Sequence, residues 1–393
     1  MGSTAFISSY ATNGRLAALT TIQVVGYGLL YYSGLVALPV ITTDIGWSFA
    51  QVSLAWSASM MVSAITSIPL GRFLDRTGPR LVMIVGTLLG ALGMVLVANA
   101  QHLVALFAGF LVLGLAMAGT LYGVAFTTIT HRYQNQRNRP LVILTIAAGF
   151  ASTIFAPVTA WLIESIGWRS TFLVGAAVFL SVSMPLVLIS MERRWDLPTE
   201  LHRDNSWGAI RSVALSGRFL RLLVATLLIG VGLYAATVNA VPLLLEQGFS
   251  FETAAWGLGI IGAGQVLGRF VFYAIPGRRL PWVQLSLAGG LSALLLLLMG
   301  VVAAPFIAVA AIVFFVGAGR GAMTLVDATA VSDRWGTNNY GALSGVLHAP
   351  TAITLGVTPA IGVFLAEALG SFAAMVIAMA GVVAVGAVLG RWT

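Results

Sequence analysis

The chain has 393 residues, of which 59% are hydrophobic and only 8% charged, and its mean hydropathy is +0.97. A soluble globular domain carries about a quarter charged residues, so this composition excludes one and points to a bilayer. The formal charge of +8 rests on 20 basic residues, all of them arginine, and the lack of cysteine excludes disulfides, thiolate metal sites and a thiol nucleophile.

Apolar runs of about 20 residues, the length a helix needs to cross a hydrocarbon core of ~30 Å, recur from end to end. They predict twelve helical spans, over 16–43, 50–70, 81–99, 103–129, 140–164, 168–191, 219–245, 253–275, 283–303, 305–330, 340–366 and 371–390. A transmembrane β-barrel would need short segments of alternating polarity, whereas these runs are continuously apolar and rich in Gly and Ala. The first span follows a short polar stretch without a small-residue cleavage site, so it reads as a retained helix rather than a signal peptide. The opening "MGSTAF" has Phe6 where the myristoylation pattern needs Ser or Thr.

The positions of the charges explain their excess. With the N-terminus inside, the loops on that side hold 17 of the 20 arginines, and the opposite side receives only Arg169. This is the bias of the positive-inside rule, and it predicts a multi-pass protein with both termini cytoplasmic. A nucleic-acid partner is not expected, because the arginines are scattered over short loops instead of forming one surface with aromatics.

The longest polar stretch, "MERRWDLPTELHRDNSWGAIRSVALSGRFLR" (191–221), divides the spans six and six. The expected organisation is an N-terminal six-helix bundle over 1–191, a cytoplasmic linker over 192–218 and a C-terminal six-helix bundle over 219–393. Span five ends "APVTAWLIESIG" (156–167) and span eleven "TPAIGVFLAEALG" (358–370), each with a Pro, an acid and a closing Gly in the same order. "GRFLDRTGPR" (71–80) follows span two where "YAIPGRR" (273–279) follows span eight. Such matches at corresponding positions are what parallel repeats leave.

"GRFLDRTGPR" between spans two and three resembles the signature loop of the major facilitator superfamily, G-x-x-x-D-R-x-G-x-R/K. The resemblance covers the whole chain and implies an all-α membrane protein of two pseudo-symmetric six-helix bundles around a cavity that opens alternately to either side. A narrower resemblance, carried by "GYGLLYYSGLVALPVITTDIGWSFAQVSLAWS" (26–57), "YGVAFTTITHRYQNQRNRPL" (122–141) and "WLIESIGWRSTF" (161–172), is to the bacterial monocarboxylate and oxalate-formate branch. It implies a functional monomer in the inner membrane that moves a small organic anion, with proton coupling as one option, and needs no cofactor or metal. The superfamily signature implies that Gly71, Asp75, Arg76 and Arg80 form a conformational latch, with topology and solvation as the plain alternative.

An ionisable residue inside a span costs ~2.5–3.5 kcal/mol on insertion scales, so each is a functional candidate. Arg269 lies in span eight, Arg320 and Asp327 in span ten and His348 in span eleven. At ~1.5 Å per residue the two arginines and His348 share one layer. Arg269 is the leading anion ligand, because a guanidinium keeps its charge and offers a planar fork to a carboxylate; its alternative is to snorkel to headgroups. The resemblance implies an Arg at this place and, in animal monocarboxylate transporters, an Asp one turn earlier, where this chain has Gln265. A proton would then fall to His348 or Asp327. Arg320, Thr324 and Asp327 share a helix face and could form a stripe that satisfies itself, while Gly319 and Gly321 leave room beside Arg320 for a substrate or another helix. In the N-terminal half Tyr27, Tyr31 and Tyr122 could stack on or hydrogen-bond a planar solute, or serve only as interhelical packing. No phosphate-binding Gly-Lys loop, zinc-spaced His pair or serine nucleophile motif occurs, so an enzyme is not expected.

Overall fold

The computed structural model describes residues 2–133, 138–191, 207–274, 280–303, 305–336 and 340–393. The described residues are helical nearly throughout. Helix α1 (Gly2–Gly26) runs through a π-helical turn (Tyr27–Tyr32) into α2 (Ser33–Ile45), and then follow α3 (Phe49–Thr77), α4 (Pro79–Ala98), α5 (Leu103–Thr120), α6 (Tyr122–Tyr133) and α7 (Asn138–Ser190). After α8 (Trp207–Ala214) come α9 (Gly217–Val238), α10 (Ala240–Glu246), α11 (Phe251–Ala274), α12 (Pro281–Val301), α13 (Phe306–Thr329), α14 (Ser332–Trp335), α15 (Tyr340–Leu369) and α16 (Phe372–Leu389).

Among the described residues ten helical segments are long and apolar enough to cross a membrane. One of them, Arg139–Ser190, has 52 residues and is twice the required length. It is broken at Gly167, whose φ of 79° an α-helix does not adopt, so it supplies two crossings. The 30-residue α15 supplies the twelfth, its described apolar part being Gly356–Leu369. The protein is therefore an all-α, multi-pass membrane protein.

The chain divides into two compact units, Met1–Glu200 and Leu201–Thr393. Inside the first, α3 packs on α5 and α4 on α7; inside the second, α11 packs on α13 and α12 on α16. These are the same pairings in the two sets of six spans. Matching residues do the same work. Pro79 opens α4 and Pro281 opens α12, each in the first turn, where the missing N–H costs nothing. Gly114 lies against the Ser59 carbonyl as Gly317 lies against that of Ile261.

The acid that closes the first crossing of each unit is also matched. Asp44 accepts a hydrogen bond from the Trp168 indole at 2.8 Å, just past Gly167. Glu246 accepts from the backbone N–H groups of Phe372 at 2.6 Å and Ala373 at 3.1 Å, just past Gly370. Ser371 caps Ala374 of the same helix at 3.0 Å, so the first turn of α16 has its donors satisfied. The arginine that broke the charge bias has a structural task as well. Arg169 donates to the carbonyls of Ala98 and Ala100, at 2.8 and 2.9 Å, and so closes the C-terminal end of α4.

The segment "GRFLDRTGPR" is not the tight turn its glycines suggest. Helix α3 continues through it to Thr77, and the chain turns only at Gly78, with φ 79°. Gly71 has neither a positive φ nor a neighbour within 4 Å of an added Cβ, so neither conformation nor close approach within the unit requires glycine there. Arg80 donates to the Met191 carbonyl at 2.9 Å, joining the start of α4 to the end of α7. The side chains of Asp75 and Arg76 lie outside the described residues.

Candidate functional site

In the second unit, α11 and α13 cross with their backbones in contact. A Cβ on Gly264 or Gly268 would lie 1.9 Å from the carbonyl oxygen of Phe314 or Ala318. From the other side, a Cβ on Gly317 or Gly321 would lie 2.0 or 2.1 Å from the carbonyl of Ile261 or Gln265. Each helix thus contributes a G-x-x-x-G pair, the spacing that lets two membrane helices approach closely. Arg269 directly follows Gly268, and Arg320 directly precedes Gly321. Both cations branch from one crossing.

Arg269 and Gln265, one turn apart on α11, are buried. Arg320 is half-buried and turns toward α9, donating from Nη1 to the Thr237 hydroxyl at 2.8 Å. Its Cζ stands 5.0 Å from the centroid of the Tyr234 ring, within reach of a cation–π attraction of ~0.5–2 kcal/mol. Asp327 Oδ1 is buried without a hydrogen-bond partner, and Thr324 bonds the Arg320 carbonyl at 3.0 Å. Arg320 therefore bonds across to another helix rather than down its own face to Asp327. The flanking glycines are also accounted for: Gly321 admits α11 and Gly319 admits Ser292 of α12. The space beside Arg320 on those two sides is taken by helices, not left for a solute.

His348 lies on α15, but its side chain is outside the described residues. Thr237, which holds Arg320, is not distinguished by the sequence. A threonine in an apolar helix gives no sign of a partner 83 residues away.

In the first unit the three tyrosines come together. Tyr27 stands 4.6 Å from Tyr122 and 6.2 Å from Tyr31, measured between ring centroids. Tyr122 stacks on Phe126 at 4.8 Å, and Tyr31 meets Trp56 at 5.7 Å. The fully buried Trp56 is a member that sequence reasoning missed; its spacing from the tyrosines is visible only once α2 and α3 pack. Tyr27 and Tyr31 sit on the π-helical turn, whose Ser33 N–H reaches back to the Gly28 carbonyl. Such turns widen a helix and often mark functional sites. Gly28 is needed there because a Cβ would lie 2.2 Å from the Phe155 ring. Nearby, Gln23 donates to the Thr120 carbonyl at 2.7 Å, and Ser33 pairs with Thr159 at 2.8 Å. Among the described residues no group of His, Cys, Asp and Glu could hold a metal ion.

Comparison with known proteins places these two units in context. The chain is 29% identical to monocarboxylate transporter 13 of Rattus norvegicus over 237 residues, covering 58% of this chain and 54% of that one. It is 31% identical to the multidrug resistance protein MdtL of Escherichia coli O17:K52:H18 over 231 residues, 57% of each chain. The chain thus spans just over half the length of these relatives. Among solved structures it resembles a bacterial homolog of the human lysosomal transporter Spinster, with TM-score 0.74 and 16% identity over 97% of this chain and 96% of that one. A POT family transporter in complex with a thioalcohol-conjugated peptide superposes with TM-score 0.73 at 14% identity, over 95% and 94% of the two chains. At such identities the likeness speaks for the fold alone. The family model of the Major Facilitator Superfamily matches residues 20–349. With twelve crossings among the described residues, two units that repeat one another's packing and a match over most of its length, the chain belongs to the Major Facilitator Superfamily.

Proposed function

We propose that this protein is a secondary active transporter that moves a small organic anion, of the monocarboxylate class, by alternating access. The observation behind the reading is the pair of arginines at the α11–α13 crossing: Arg269 buried, and Arg320 held by Thr237 and Tyr234 rather than by a carboxylate. Among the described residues Arg320 is held at depth by a hydroxyl and an aromatic ring and not by an anion, which is costly. A substrate carboxylate would offset that cost and bias the conformational equilibrium by its differential affinity. Gln265 beside Arg269 would add a neutral hydrogen-bonding group. Asp327, with its buried unpartnered Oδ1, and His348 are the proposed proton carriers. The latch around Asp75 and Arg76 is retained in this reading, as are the bacterial inner membrane and cytoplasmic termini.

The aromatic cluster supports a second reading, a carrier or exporter of a planar neutral solute whose main contacts are Tyr27, Tyr31 and Tyr122. The similarity to a multidrug resistance protein adds weight to it. A non-transporting receptor on the same fold is the remaining alternative.

The test is counterflow in proteoliposomes across a panel of small carboxylates, with and without a pH gradient, on wild type and Arg269→Ala. Carboxylate exchange that Arg269→Ala abolishes is the expected result. Exchange that survives the substitution undiminished removes Arg269 as a ligand. Uptake of uncharged aromatics alone moves the assignment to the tyrosine cluster, and no exchange of any solute leaves the receptor reading.

A further inference from the structure

A groove of about 350 Å³ runs between α12 and α16 on the outer face of the second unit. Its floor is built of Gly290, Ala293, Ala384 and Ala387, and Trp282 and Arg391 stand at one end. Along α12 it extends from Trp282 to Ala293, about 16 Å at ~1.5 Å per residue. That is half of a ~30 Å hydrocarbon core, the depth of one leaflet. Its neighbours Leu287, Leu291 and Val388 are exposed leucines and a valine of the kind that face acyl chains.

The two ends of the groove differ. Arg391 is exposed and makes no hydrogen bond or ion pair with the described residues. The Ser286 hydroxyl at the same end is screened from solvent and has no hydrogen-bond partner among the described residues. Trp282 and Trp392 lie at this level too, where tryptophans belong to a membrane–water interface. Among the described residues no acidic side chain lines the groove. The arrangement is therefore a cation at headgroup height above an apolar channel one leaflet deep.

We infer that this groove is a binding site for an anionic phospholipid of the surrounding bilayer, one acyl chain lying on the Gly290–Ala384 floor and the phosphate group on Arg391. The order of apolar depth, interfacial tryptophan and cation is that of a lipid molecule read from tail to head. A second copy of the chain would have to bring its own anion to Arg391 and a ridge to fill the channel. The site is independent of what the protein transports, and it would fix a lipid of the leaflet on the arginine-rich side.

Native mass spectrometry of the delipidated full chain tests this, with phosphatidylglycerol and phosphatidylcholine of identical acyl chains as probes. Wild type is expected to hold phosphatidylglycerol about fivefold more tightly, the worth of one arginine beside an anionic headgroup. Arg391→Gln should equalise the two lipids. Gly290→Leu should weaken both, and it should fold, because an added Cβ at Gly290 meets nothing within 4 Å. Equal binding of the two lipids by wild type, or a preference that survives Arg391→Gln, overturns the proposal. So does a dimer of the wild-type chain that Gly290→Leu dissociates, which would make a second copy the occupant.

Discussion

Arg320 donates to the hydroxyl of Thr237, 2.8 Å away on α9, and not to Asp327 two turns along its own helix. The Thr237 hydroxyl in turn donates to the Leu233 carbonyl at 2.8 Å, which leaves its lone pairs aimed at the guanidinium. Thr237→Val keeps the shape and removes the acceptor. It should cost about 1–3 kcal/mol, the range for stranding a partly buried charged donor, whereas Thr237→Ser should stay near wild type. Thermal unfolding in detergent checks both, and equal melting of the Val and Ser variants would remove the bond from the account.

The α11–α13 crossing tolerates no side chain at its glycines. Gly268→Val would force the helices apart against the Ala318 carbonyl, a strain of about 3 kcal/mol or more. Loss of monodisperse protein in size-exclusion chromatography is the expected readout. Gly290→Ala, in open space on α12, is the matched control and should gain up to ~1 kcal/mol of helix propensity.

Gly28 and Phe155 should be coupled. Gly28→Ala places a methyl 2.2 Å from the Phe155 ring and should destabilise by about 1–3 kcal/mol. Phe155→Leu in the same chain should recover part of that loss. A double-mutant cycle measures the coupling, expected between ~0.5 and 3 kcal/mol; strict additivity would show that the π-helical turn does not need a glycine at this point.

Glu246 holds the first turn of α16 through two backbone N–H groups. Glu246→Gln keeps only one of the two accepting oxygens, turns the other into an NH2 that cannot accept from the backbone, and removes the charge that faces the positive helix end. The charge should account for ~0.3–1 kcal/mol of the loss at low ionic strength, the part that shrinks as salt is added. Thermal melts of both forms across a salt series decide it. A loss that does not change with salt would mean that geometry, not charge, is what Glu246 supplies.

The sequence announced its helix ends because glycine and proline mark them physically. Gly167 and Gly370 take positive φ before the last crossing of each unit, and Pro79 and Pro281 begin helices where no donor is wanted. The arginines in the spans were equally legible, since few side chains are so costly at depth. Their surroundings were not. Gly319 and Gly321 read as room beside Arg320 for a substrate or another helix, and which of the two could not be read from the sequence: Gly321 meets α11 and Gly319 meets Ser292 of α12. Thr237 and Trp56 became members of their clusters only through packing between segments distant in sequence. The extension of α3 through Arg72 to Thr77 was hidden for another reason: polar residues end an apolar run without ending a helix.

The π-helical turn at Tyr27–Tyr32 has a consequence for how this chain tolerates change in length. Each residue removed from an α-helix rotates everything beyond it by about 100°, which would carry the Ser33, Gly34 and Leu38 side of α2 away from its neighbours. A stretch bonded i to i+5 already contains slack relative to the 3.6-residue period. Deleting Leu29 would let this stretch relax toward an ordinary α-turn while the helices on either side keep their faces, so the first crossing has a tolerated site for a one-residue deletion, and it lies among its tyrosines.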